Sequence, residues 1–265
     1  KLLARILYAL IGDKRGVLTG HTGTGKTTVL EQVAARLFWP VARDNMDSGR
    51  DRQDFTGGHV MTVEDGVQVT QFQDGLLIQA MQAGYILILD EFDAARPDVL
   101  FALQRPMEGK GFIVTEDGGR EIVPNAWFRM FGTMNTKGRG DDHGNYQGTR
   151  PMNAALLDRF TVWAEVPYLT ASQTSKLLTN RGLDSGMADI MASYFELHTK
   201  AFEMGETTIP LSPRTMLEWC DVAMFLLATT DKDDALMTGF EWTMLDRCGE
   251  ADRATVQGFM DRLAA

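Results

Sequence analysis

Cysteine is scarce in this chain: only Cys220 and Cys248 occur, far apart and outside any metal-ligand spacing. That excludes a disulfide framework and predicts two helix-packing residues in a reducing compartment. No apolar run reaches the roughly 20 residues of a membrane span, and no signal-peptide pattern opens the chain, so a cytosolic protein without a membrane role is expected. Positive charge is in deficit, with 26 Lys and Arg against 36 Asp and Glu, a net charge of −10. This disfavours gripping nucleic acid by surface charge alone and leaves open only a locally basic pore. The first residue, Lys1, already lies inside a helical pattern, which predicts that the natural N-terminus lies upstream. With 265 residues, 44% of them hydrophobic, the chain can bury one large core or a core plus a smaller one.

Against these absences stands one dense motif, Gly20-His21-Thr22-Gly23-Thr24-Gly25-Lys26-Thr27, followed by Thr28 and a helix-patterned run to Phe38. It fits G-x-x-x-x-G-K-[ST] at every fixed position and follows the short apolar segment Gly16–Thr19. Glycines at 20, 23 and 25 let the backbone turn with its N–H groups facing inward around a polyphosphate. The helix start adds unpaired N–H groups and the positive dipole end. Lys26 would reach the β- and γ-phosphates, and the Thr27 hydroxyl would ligate Mg2+. An accidental glycine-rich turn is the bland alternative, and the strand–loop–helix context argues against it.

The second anchor is Tyr85-Ile-Leu-Ile-Leu89-Asp90-Glu91, an aliphatic run ending in two acids. It reads as a buried parallel strand whose carboxyl end meets the ligand. Asp90 would hold Mg2+ directly or through water, and Glu91 would orient the attacking water. Without the loop upstream, a solvated acidic turn would be the simpler reading. The guanine-reading pattern Asn-Lys-x-Asp is absent, which favours ATP over GTP. Asn135, directly after the strand pattern of residues 127–131, would hydrogen-bond the γ-phosphate or lytic water, or else cap a loop.

The other segments read as α/β until about Pro167. A helix with little amphipathic contrast is expected over Leu2–Leu10 and a strand over Trp39–Arg43. Hairpins are expected over Gly57–Phe72 and residues 111–123, with turns at Glu64-Asp65-Gly66 and Glu116–Gly119. Asp74 is the expected cap of a helix over Gly75–Gln82, and one helix is expected over Pro97–Glu108. Residues 136–150 form a long glycine-rich loop; its Asp141-Asp142-His143 reads either as a metal cluster or as a solvated loop. After a strand over Thr161–Val166, only helical patterns follow, placing a domain boundary near Pro167: an α/β nucleotide-binding domain over 1–167 and an α-helical domain over 168–265. Arg214, in the first turn of a helix after Ser212-Pro213, sits where a cation is disfavoured unless an anion joins it, or is an ordinary surface arginine.

Taken in order, the phosphate loop, the two hairpins flanking Leu89-Asp90-Glu91, Asn135, Leu157-Asp158-Arg159-Phe160 and Ser212-Pro213-Arg214 resemble the AAA+ ATPases. The hairpins are similar to those of the MoxR and magnesium/cobalt chelatase branch. Phe72-Gln-Asp-Gly75 and Asp90-Glu-Phe-Asp-Ala-Ala-Arg-Pro-Asp98 resemble the ATPase small subunits of cobaltochelatases (CobS-like), a resemblance covering nearly the whole chain. It implies a P-loop NTPase parallel-sheet core with hairpin inserts and a small all-α lid. It implies that Lys26 and Thr27 belong to Walker A, Asp90 and Glu91 to Walker B, Asn135 to sensor 1 and Arg214 to sensor 2, with Arg159 as an arginine finger acting on a neighbouring subunit. Arg129, Arg139 and Arg150 are further candidate interface cations. The implied assembly is a homo-oligomeric, hexameric ring using ATP and Mg2+, with a von Willebrand A-domain protein as partner, either in cobalt insertion or as a phage-encoded relative. The role is that of motor, since nothing in the chain reads as a corrin pocket.

Two rival readings make different demands. A nucleic-acid-remodelling motor would carry basic or aromatic hairpin tips, whereas these are Glu64-Asp65 and Glu116-Asp117. A non-hydrolysing nucleotide switch would lack Glu91, Asn135 or Arg159, and all three are present.

Overall fold

The computed structural model describes residues 1–140, 148–229 and 234–264, and the chain falls into two compact units. Residues 1–20 with 26–166 form the first, and residues 21–25 with 167–265 the second.

The first unit runs α1 (Leu2–Ile11), β1 (Gly16–Thr19), α2 (Lys26–Arg36), β2 (Val41–Asn45), α3 (Arg52–Thr56), β3 (Gly58–Glu64), β4 (Val67–Gln73), α4 (Leu76–Ala83) and β5 (Ile86–Asp90). It continues through α5 (Pro97–Leu100), α6 (Gln104–Met107), β6 (Phe112–Val114), β7 (Arg120–Ile122), β8 (Arg129–Met134), α7 (Ala154–Leu157) and β9 (Val162–Glu165). Five strands pair in parallel in the order β2-β5-β8-β1-β9. The three central strands are buried on both faces, which is why none of them alternates apolar with polar residues.

Strand periodicity sorts the core into two layers. Val17, Leu87, Leu89 and Met130 join Leu77, Met81, Val99 and Leu103 on one face. Leu18, Ile86, Ile88 and Phe131 join Ile6, Leu10, Leu30 and Val33 on the other. Helices therefore cover both faces of the sheet, and α1 buries Ile6, Ala9 and Leu10 while the apolar Leu3, Tyr8 and Ile11 face solvent.

Both hairpins form. Asp65 and Gly66 take positive φ (50° and 81°), which turns β3 into β4 in the sense that matches strand twist. Two local expectations are corrected. Asp74 does not cap α4, whose N-cap is Gly75; its carboxylate instead pairs with Arg120 of β7. The helix expected over Pro97–Glu108 is broken into α5, a 3-10 turn at Phe101–Leu103 and α6, since Pro106 has no N–H to continue the ladder.

The second unit is helical: α8 (Ala171–Arg181), α9 (Ser185–Glu203), α10 (Pro213–Thr229), α11 (Ala235–Thr243) and α12 (Glu250–Ala264). Its core gathers Leu178, Met191, Tyr194, Phe195, Trp219, Phe240 and Val256. Cys220 is buried in it, as a helix-packing thiol should be, and both cysteines are free. Among the described residues no helix is long and apolar enough to cross a membrane.

Candidate nucleotide site

The site assembles where β1, β5 and β8 end at the carboxyl edge of the sheet. Gly23 and Gly25 take φ of 74° and 88° as the chain leaves β1, a conformation that side-chain-bearing residues rarely adopt, and Lys26 and Thr27 open α2. The loop is tied to β8 by Gly20 N–H donating to the Met134 carbonyl at 3.3 Å. Within the loop, Thr24 Oγ1 donates to the His21 carbonyl at 2.9 Å. In the second unit the His21 ring stacks on Tyr168 with centroids 5.3 Å apart. His21 and Thr22 are partly exposed, and Thr28 is exposed on the first turn of α2.

Lys26 is buried, and its Nζ donates to the Gly20 carbonyl at 2.7 Å and to Asn135 Oδ1 at 2.9 Å. Burial lowers its pKa from 10.5 to about 8, against the pull of Asp90, Asp93 and Glu91. A group carrying this desolvation penalty gains when a polyphosphate arrives beside it.

Asp90, last in β5, is the hub. Its Oδ1 accepts from Thr27 Oγ1 at 2.8 Å and from the Thr133 hydroxyl, and its Oδ2 from Arg43 Nη2 at 2.5 Å. Burial alone would raise this carboxyl, but the hydrogen bonds from Thr133, Thr27 and Arg43 outweigh it and hold the group below its ordinary range. Thr27 and Asp90 together offer a hydroxyl and a carboxylate converging on one point. That oxygen donor set suits Mg2+, which takes one or two protein oxygens and completes its shell with phosphate and water.

Glu91 follows in the left-handed conformation (φ 53°, ψ 43°), its side chain exposed. Two residues on, Asp93 is buried, and its Oδ2 accepts from the Thr136 N–H and hydroxyl, both at 2.7 Å. This bond holds the chain just after Asn135 against the acidic segment.

The structure thus brings Lys26, Thr27, Asp90 and Asn135 together as two bonded pairs, Lys26–Asn135 and Thr27–Asp90, with Glu91 beside Asp90. Arg159 is not among them: its guanidinium donates to Glu108 Oε1 at 2.9 Å and to the Ala155 carbonyl at 2.5 Å on the surface of the first unit. Arg214 is exposed on the first turn of α10. Arg129 is no interface cation. It is 7% exposed, donates to the carbonyls of Leu10, Ala126 and Phe128, and lies over the Trp39 ring, so it joins α1 to the sheet. Arg139 and Arg150 are exposed. Asp141, Asp142 and His143 lie outside the described residues, among which no cluster of three metal-ligating side chains occurs.

Sequence reasoning passed over Arg43, Thr133, Asp93 and Thr136. The signal for Arg43 was a charged residue in the strand pattern beside the acidic strand. For Thr133 it was a hydroxyl between Gly132 and Met134 in a strand buried along its whole length.

Comparison with known proteins adds five findings. Residues 16–160 match the AAA domain of the dynein-related subfamily. The chain is 37% identical over 257 residues to the aerobic cobaltochelatase subunit CobS of Sinorhizobium sp., covering 95% of this chain and 75% of that one. It is 28% identical over 223 residues to an uncharacterized protein of Staphylococcus aureus (strain USA300), covering 83% and 81%. Among solved structures, the Thermotoga maritima RuvB Holliday junction branch migration motor superposes with a TM-score of 0.58 at 14% identity, over 99% of this chain and 74% of that one. NtrX of Brucella abortus, solved with ADP, superposes with a TM-score of 0.56 at 18% identity, over 99% and 59%. Both likenesses concern the fold.

Proposed function

The chain belongs to the AAA family, as a CobS-like AAA+ ATPase, and from that premise we propose that it is an Mg-ATP-driven ring motor that remodels a partner protein complex. The observation that carries this reading is the convergence of Lys26, Thr27, Asp90 and Asn135 at one edge of the sheet, with the Glu91 carboxylate left exposed beside them.

In this reading Lys26 gives up its bonds to Gly20 and Asn135 to hold the β- and γ-phosphates. Thr27 and Asp90 hold Mg2+, which when bound neutralises charge building on the phosphate oxygens. Glu91 orients the attacking water, and Asn135, released from Lys26, holds that water or the γ-phosphate. Arg159 leaves Glu108 to reach the site of a neighbouring copy, which makes the hydrolysing unit a ring, hexameric as in the resembled branch. Arg214 senses phosphate from the helical part of the chain, residues 168–265, which acts as a lid. The cobaltochelatase subunit CobS offers a functional parallel, so a large chelatase subunit with a von Willebrand A-domain protein is the partner complex we propose, in the cytoplasm.

The test is a pull-down from the native host with Glu91→Gln loaded with Mg-ATP, against a Lys26→Ala control. Recovery of a von Willebrand A-type protein with a large chelatase subunit supports the reading. Recovery of nucleic acid with no protein complex would sink the protein-remodelling role and leave the ATPase standing.

A further inference from the structure

The pairing of β5 with β8 ends at Leu89 opposite Gly132. One step further on, the link between the two strands is made by the Thr133 side chain. It is fully buried, with none of its surface exposed, inside a strand whose other residues carry no hydroxyl. Its Oγ1 makes two bonds of opposite sense. It donates to Asp90 Oδ1, and it accepts the N–H of Glu91 at 3.2 Å.

Those roles are fixed by chemistry. A carboxylate only accepts and a backbone N–H only donates, so the single hydroxyl proton points at Asp90 and a lone pair is left facing Glu91. Glu91 needs such a hold. Its backbone sits in the left-handed region that non-glycine residues seldom occupy, and such conformations persist only where the surroundings over-determine them. Its carboxylate is exposed, so its direction is set through the backbone: the amide on Thr133 and the carbonyl accepting from Ala94 N–H at 2.8 Å.

We propose that Thr133 is a positioning residue for hydrolysis, its hydroxyl locking the Asp90–Glu91 turn so that the Glu91 carboxylate points at the water. The inference rests on Glu91 as the group that orients that water. Valine has the shape of threonine without the hydroxyl, and serine keeps the hydroxyl without the methyl, so the pair separates bonding from packing. Lys26, which would hold the phosphates, bonds to the Gly20 carbonyl and to Asn135, whereas the Thr133 hydroxyl is spent on Asp90 and Glu91.

The experiment measures, on the full chain, the dissociation constant of a fluorescent ATP analogue with Mg2+, the steady-state kcat and the thermal midpoint. The variants are Thr133→Val, Thr133→Ser, Thr133→Ala and Glu91→Gln. Expected is a fall in kcat of about tenfold or more in Thr133→Val, nucleotide affinity within about threefold of the parent, and Thr133→Ser close to the parent in both. Should Thr133→Val fail to fold, the alanine–serine pair carries the same comparison. A kcat within twofold in the folded hydroxyl-less variant overturns the inference, as does an equal loss in Thr133→Ser or a parallel loss of affinity. Full hydrolysis by Glu91→Gln overturns the reading of Glu91 and this inference with it. Loss of hydrolysis in Glu91→Gln with an indifferent Thr133 overturns this inference alone.

Discussion

Arg43 Nη2 lies 2.5 Å from Asp90 Oδ2, so a guanidinium from the edge strand holds the carboxylate to which a divalent cation would bind. The same guanidinium reaches Glu31 of α2 at 3.3 Å, bridging the loop helix and the acidic strand. Direct coordination of a cation by Asp90 must displace Arg43 from Oδ2 or share the carboxylate with it. Arg43→Gln is therefore expected to lower the Mg2+ concentration that half-saturates nucleotide binding by about threefold, a modest factor because the arginine is half-exposed and the pair is screened. An unchanged Mg2+ requirement in a titration at fixed ATP would show that guanidinium and cation do not compete.

Arg159 is parked on Glu108 at the surface of the first unit, where it contributes nothing to the nucleotide cluster of its own chain. Arg159→Ala should leave the thermal midpoint and ATP affinity nearly unchanged while turnover falls by about a thousandfold, the size of effect an arginine acting in trans has in other NTPases. Mixing Arg159→Ala with Glu91→Gln chains should restore some turnover, because some interfaces then pair an intact Glu91 with an intact Arg159. No recovery in mixed assemblies verified by mass spectrometry would count against a shared site.

The sheet and the motif-bearing residues were legible because local chemistry and tertiary role coincide there. Gly23, Gly25, Lys26 and Thr27 have a spacing that one structure explains, and the run from Ile86 to Asp90 can hardly be anything but a buried parallel strand. What escaped was bonding between residues distant in sequence. Asp74 has the composition of a cap, yet its position beside β7 gives it Arg120 instead. Arg129 looks like a surface cation until α1 folds over it and offers the Leu10 carbonyl. Arg43 and Thr133 lie 47 and 43 residues from Asp90, and only the strand order β2-β5-β8 makes them its neighbours.

Gly16 offers a stability test away from the chemistry. It opens β1 opposite Phe131 of β8, and a Cβ there would lie 2.3 Å from the Phe131 ring. Both residues are buried in a sheet packed on both faces, so the ring has little room to retreat. Gly16→Ala should destabilise the chain by about 1 to 3 kcal/mol through overpacking, seen as a lower urea midpoint. A simultaneous Phe131→Leu change should recover part of the loss. An unchanged midpoint in Gly16→Ala alone would mean that β1 and β8 can slide apart without cost.

Lys26 gives the chain a pH dependence whose sign follows from its pKa, lowered by burial from 10.5 to about 8. Below pH 8 both the folded and the unfolded chain carry the ammonium, and the folded chain bears the full desolvation penalty, on the order of 3 kcal/mol. Between about pH 8 and 10.5 the unfolded chain binds the proton that the folded chain has lost, so this residue's contribution to stability rises with pH. Above that window both states are neutral and the penalty is gone. Urea unfolding of the metal- and nucleotide-free protein should thus show Lys26→Met gaining on the parent at pH 7 relative to pH 10. ATP reverses the balance: bound phosphate restores the charge, so binding above pH 8 should take up close to one proton, measurable by calorimetry in buffers of different ionisation enthalpy. A stability gap between Lys26→Met and the parent that stays constant from pH 7 to 10 would place the Lys26 pKa near its ordinary value, and the amine would then be far better hydrated than its bonds to Gly20 and Asn135 imply.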